Sequence, residues 1–91
     1  MSMVRIATHH DGNGSVTLSI AGKCNGGCIG ELRRAIEKAR RSHKSVFIDM
    51  SEITLVDRPS IQFLAEQARD NITLINCPPY IEPWIVREGS V

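Results

Sequence analysis

The chain has very few aromatic residues, only 4% of its 91 positions. Its interior must therefore be built mainly from Ile, Leu, Val and Ala. It has no apolar run near the roughly 18 residues that cross a bilayer, so direct membrane insertion is not expected. No basic-then-apolar leader stands at the start, and a cytoplasmic location is the expectation. Cysteine is scarce and odd in number: Cys24, Cys28 and Cys77. A secreted disulfide framework usually shows an even set. The three are read as reduced thiols in a reducing compartment.

Ninety-one residues make one domain, 1–91, large enough to fold without staples. Hydrophobic residues make up 42% and charged residues 23% of the chain, an ordinary globular balance. The net charge of +1 is unevenly spread. Residues 1–44 hold eight Lys/Arg against three Asp/Glu, and residues 45–91 hold three against seven. Much of the positive part is Arg33, Arg34, Lys38, Arg40, Arg41 and Lys44. No aromatic residue interleaves with these charges, and the chain is far from the basic character of nucleic-acid binders. The group reads as a solvated helix face, and no nucleic-acid partner is expected.

Residues 3–8 alternate apolar and polar, as a half-buried strand does. Asp11-Gly12-Asn13-Gly14 supplies two hairpin turn pairs, and Val16, Leu18 and Ile20 then alternate with Thr17, Ser19 and Ala21. A helix is predicted over 28–42, with Ile29, Leu32, Ile36 and Ala39 on one stripe and Asn25 as a cap. Val46-Phe47-Ile48 is a strand buried on both faces, followed by a loop over 51–58. Pro59 suits the first position of a second helix, 59–70, and pushes Arg58 out of it. Ile61, Leu64, Ala65 and Ala68 form its inner face. The last strand is 72–76. A short helix over 80–88 follows, disturbed by Pro83, with Ile81, Trp84 and Ile85 inward. Strands joined through helices imply parallel pairing.

The segment from Val46 to Leu64 carries the most information. A strand, a polar loop and a helix start stand beside Ser60. The first N–H groups of a helix have no internal partner and form a natural anion site. Ser60 is then a cap, a phosphate acceptor or an anchor for another protein. Asp49 and Asp57 flank the loop. Their simplest roles are to bond loop amides and to sit at a helix entry. Phe63 lies about 160° around the helix from the Ile61 and Leu64 stripe, which places an aromatic on the outer face. Cys24, Cys28, His9 and His10 are a weak metal pattern, since Cys-x3-Cys lacks a second ligand pair. Asn25-Gly26-Gly27 lacks the usual phosphate-loop signatures and reads as a turn. No metal or cofactor is expected.

This order of elements, with these residues, resembles the STAS domain of bacterial anti-sigma-factor antagonists and sulfate-transporter tails. The strand closing on Gly22, the run Val46-Phe-Ile-Asp-Met-Ser51 and the stretch Thr54-Leu-Val-Asp-Arg-Pro-Ser-Ile61 carry the likeness. Ile72-Thr-Leu-Ile-Asn76 and the segment Ile81 to Gly89 extend it. The family's Asp-Ser-Ser-Gly motif, whose second serine is phosphorylated, is replaced: Asp57 is kept, Arg58 and Pro59 replace the serines, and Ser60 replaces the glycine. Ser60 is the remaining candidate acceptor, rotated about 100° from the family's position. The family usually adds a further strand and helix, so residues 72–76 are expected to leave an open sheet edge, a place for a homodimer.

The resemblance implies an α/β fold with a mixed four-stranded sheet and helices mainly on one face. It implies a non-catalytic regulatory module that docks a protein partner through Ser51, Thr54, Asp57, Arg58, Ser60 and Phe63. In the family the partner is often an anti-sigma factor that is also a serine kinase, and the replaced serines predict a binder without the usual phosphoserine switch. The alternative is an accessory subunit of an ABC-type membrane transport complex. An enzyme would need Asp49, Asp57 and Ser60 around one ligand, and no constellation supports that.

Overall fold

Two glycine-bearing pairs make the first turn. In the computed structural model, which describes residues 4–24, 27–43 and 45–89, with side chains through residue 85, β1 (Val4–His10) and β2 (Ser15–Cys24) pair antiparallel across them. Gly14 adopts φ +90°, open to glycine at little cost, and the Asp11 N–H donates to the Ser15 carbonyl at 2.9 Å. Helix α1 (Cys28–Ser42), strand β3 (Ser45–Val56), helix α2 (Arg58–Arg69), strand β4 (Ile72–Ile75) and helix α3 (Glu82–Gly89) follow. The sheet order is β1-β2-β3-β4, with β2, β3 and β4 mutually parallel. The α/β architecture and the mixed sheet are those expected from the sequence.

Burial is one-sided. Val16, Leu18 and Ile20 of β2 and Val46, Ile48 and Met50 of β3 are buried, while Thr17, Ser19, Phe47 and Asp49 between them are half-buried. Strands advancing in one direction through right-handed crossovers carry their helices on one face. That face is the core, closed by Leu32 and Ile36 of α1, Leu64 of α2 and Ile81 ahead of α3. Each such side chain contributes about 1.5–3 kcal/mol on leaving water. The expectation that Val46-Phe47-Ile48 is buried on both faces is corrected, since Phe47 faces the less covered side.

β3 is much longer than expected. The predicted loop over 51–58 is strand as far as Val56, and its backbone pairs with residues 21–24 of β2. The alternation was hidden by two register shifts, where Ser19/Ala21 face Asp49/Glu52 and Gly22/Lys23 face Ile53/Leu55. Each shift puts one extra residue into β3, a bulge that leaves two successive side chains outside. Ser51 and Glu52 are therefore both exposed, Ile53 is buried, and Thr54 and Leu55 are both exposed. Gly22 sits opposite the second bulge with φ +95°.

Three helix details also differ. Asn25, the expected cap of α1, lies outside the described residues, and the N-cap position is Gly27. Helix α2 begins at Arg58 rather than Pro59, and Pro59 occupies its first turn without loss of an intrahelical bond. Pro83 likewise falls in the first turn of α3 and does not disturb it.

The end of the sheet away from α2's start is tied by polar contacts. His10 Nδ1 and His43 Nε2 lie 3.0 Å apart, and Arg40 pairs with Asp70 at 3.0 Å. Exposed pairs of this kind are worth about 0–1 kcal/mol. Among the described residues, no helix is long and apolar enough to cross a membrane. β4 pairs with β3 alone among the described strands.

Candidate protein-docking site

Where β3 ends, Asp57 turns the chain into α2. Its Oδ1 accepts the Ser60 N–H at 3.0 Å, a side-chain cap on the helix's free donors. Its own N–H donates to the Cys24 carbonyl at 3.1 Å. Asp57 is thus the joint between β2, β3 and α2. Asp49, at the other end of the expected motif, accepts the Ser51 N–H at 2.9 Å and the Asn76 amide at 3.2 Å. The Ser51 N–H, chiefly, holds the Asp49 carboxyl below the ordinary carboxylate range against the opposing effect of burial, and the Asn76 amide adds to the lowering.

The expected reading of the cysteines is overturned. Cys24 and Cys28 are bonded to each other, with Cα atoms 5.4 Å apart, and Cys77 is the free thiol among the described cysteines. Burial, and then the charge of Glu82, push the Cys77 thiol up from its ordinary value. The hairpin register places His10 opposite Val16, at the other end of β2 from Cys24. His9, His10, Cys24 and Cys28 therefore do not converge. Among the described residues, no three His, Cys, Asp or Glu groups stand together as a metal-sized cluster.

The expected docking residues separate into three groups. Ser51 lies on the less covered sheet face, lining a shallow groove of about 610 Å³ with Arg5, His9 and Asp49. This groove includes neither Asp57 nor Ser60, so the three-residue enzyme constellation is not assembled there. Ser60 and Phe63 are interior, at 0% and 4% exposure. The Ser60 hydroxyl lies 3.8 Å from Cys28 Sγ. Its burial does not favour Ser60 as a phosphate acceptor. Phe63 is covered by α1, with the Arg33 guanidinium 5.0 Å from its ring centroid. The outer-face expectation assumed that α2 packs on the sheet alone. The helix instead lies between α1 and α3, so its buried arc widens to take in Ser60, Ile61, Phe63, Leu64 and Ala65. Ala68, expected inward, is exposed.

Thr54, Asp57 and Arg58 remain near the surface at this end of the sheet, and they border a feature the sequence reading did not single out. Leu55, Tyr80 and Trp84 are the exposed large hydrophobics among the described residues, at 54%, 56% and 50% exposure. All three line one open groove of about 340 Å³, together with Val56, Arg58, Ile61 and Ile81. The Tyr80 hydroxyl donates to the Thr54 carbonyl at 3.3 Å, which pins the aromatic wall to β3. Trp84, expected in the core, is outside it because Ile81 and Ile85 take the inward positions. The signal was the four-residue step from Ile81 to Ile85, which leaves Tyr80 and Trp84 one face over.

No protein-family model and no curated protein sequence matches the chain. Solved structures do. The unphosphorylated form of SpoIIAA, an anti-sigma factor antagonist, superposes with a TM-score of 0.70 at 11% identity, over 88% of this chain and 80% of the other. The phosphorylated form of SpoIIAA, a Bacillus cell fate determinant, gives 0.69 at 12% identity, over 93% and 84%. An uncharacterised Shewanella loihica protein with a SpoIIAA-like fold gives 0.57 at 13% identity, over 92% and 75%. The mixed sheet, its strand order and its single helical layer are therefore those of the SpoIIAA fold.

Proposed function

We propose that this chain is a non-catalytic regulatory module that docks a protein partner of the anti-sigma-factor class. The groove between the end of β3, the start of α2 and α3 would be its contact surface. One observation carries the reading: three exposed large apolar side chains from two distant segments of the sequence converge on a single groove. Scattered exposed apolar residues are ordinary, but a contiguous patch marks an interaction site. Trp and Tyr are the side chains most often found as anchors of such contacts. The likeness to SpoIIAA, an anti-sigma factor antagonist by its description, supports the class of partner.

This reading moves the expected surface. Thr54, Asp57 and Arg58 stay at its border, while Ser51, Ser60 and Phe63 leave it. Recognition does not depend on a phosphorylated Ser60.

Calorimetric titration of the purified chain against the serine-kinase anti-sigma factors of its own genome tests the proposal. Trp84→Ala and Leu55→Ala should each weaken binding about tenfold or more, as anchor residues do. Binding unchanged by both substitutions, or found instead with an ABC-type permease or ATPase subunit, overturns it.

A further inference from the structure

Four residues from the end of β2, the start of α1 and the entry to α2 form a closed ring. The Cys24 carbonyl accepts the Asp57 N–H at 3.1 Å. Asp57 Oδ1 accepts the Ser60 N–H at 3.0 Å. The Ser60 hydroxyl lies 3.8 Å from Cys28 Sγ, and Cys28 is bonded to Cys24. We propose that Cys24 and Cys28 are a reversible dithiol–disulfide couple whose state controls this ring, with a dithiol reductant as its partner chemistry. The step from the ring to docking rests on the function proposed above, because Arg58 and Ile61 of the groove flank Ser60 on the same helix.

Three features favour a couple over a plain staple. A disulfide across four residues constrains the unfolded chain less than one closing a long loop, so stapling is its lesser effect. Cys28 is the first residue of α1, where unsatisfied backbone N–H groups stabilise a thiolate. The buried Ser60 hydroxyl stands beside the same sulfur and can donate a hydrogen bond to it.

The exchange balances as follows. A thiolate of the reductant attacks Cys24 Sγ, and the electron pair of the S–S bond leaves with Cys28 Sγ, which takes a proton. The reductant's second thiol then attacks its own sulfur in the mixed disulfide and releases Cys24. Two electrons and two protons pass to the protein, and the reductant becomes a disulfide. Both cysteines are about 1% exposed, so attack requires this end of the sheet to open and the exchange is slow.

The test uses the full chain carrying Cys77→Ser, which removes the thiol outside the ring. Without reductant, iodoacetamide should label neither Cys24 nor Cys28. After treatment with dithiothreitol it should label both. Amide hydrogen exchange at Asp57 and Ser60 should then quicken at least tenfold, while Leu18 and Ile48 exchange as before. Cys28→Ser should show the fast exchange with and without dithiothreitol. Labelling of both cysteines before reduction, or exchange at Asp57 and Ser60 unmoved by reduction, overturns the couple. Neither result bears on the groove, which the Trp84→Ala titration tests separately.

Discussion

The two flanks of α2 come from one helix and are finished in opposite ways. Toward α1, Ser60 and Phe63 are sealed beneath Cys28 and Arg33. Toward α3, Arg58 and Ile61 open onto a groove walled by Leu55, Tyr80 and Trp84. Ser60 and Phe63, which the sequence places at a docking surface, lie in the sealed flank. Of the residues expected at that surface, Arg58 lines the open one. One helix thus buries part of an expected contact stretch and exposes the rest, according to which neighbour each side chain meets.

The largest effect should come from the sealed flank. Phe63→Ala empties a buried site and should cost about 3–5 kcal/mol, read as a lower urea midpoint. A loss under about 1 kcal/mol would return Phe63 to the surface and break the contrast. On the open flank, Trp84→Ala should leave the urea midpoint within the ±0.5 kcal/mol usual for surface changes. The same substitution should lower partner affinity by about 2 kcal/mol, measured by calorimetry. Asp57 joins both flanks. Asp57→Ala removes the cap on Ser60 and should destabilise the fold by about 1 kcal/mol in urea unfolding, while Asp57→Asn should retain most of that stability.

The smallest effect is electrostatic and lies away from both flanks. The folded Asp49 carboxyl titrates below its unfolded value. Its contribution is therefore fully present above the unfolded pKa, and is lost as pH falls through the folded one. Asn76→Ala removes one donor and should move the Asp49 titration upward, followed by carboxyl-carbon NMR. An Asp49 titration at or above the ordinary carboxylate value in the wild type would contradict the Ser51 contact.

Much of the architecture was legible because local signals agreed. Asp-Gly and Asn-Gly marked the hairpin, the Ile29–Ala39 stripe marked α1, and Pro59 marked the entry to α2. The far half of β3 was not legible, because two extra residues break the period of two that reveals a strand. The burial of Phe63 was missed because a helical stripe shows which side meets the sheet, not how many neighbours flank the helix. The Cys24–Cys28 bond was missed because an odd cysteine count is a statement about the whole chain. Two cysteines at a strand end and a helix start are decided by local geometry. Of the groove's lining, Arg58 was among the residues named from the sequence. Leu55 was hidden by the second bulge, and Tyr80 and Trp84 by an assumed inward face.

The paired bulges in β3 set a rule for how this strand can change length. Each bulge sets two outward residues of β3 against one residue of β2, so removing one of the two leaves every later pair in place. Deleting Glu52 or Thr54 would keep Ile53 opposite Gly22 and inside, whereas deleting Ile53 itself would put a polar side chain there. Viable descendants of this chain should shed single residues at the two bulges more readily than elsewhere in β3.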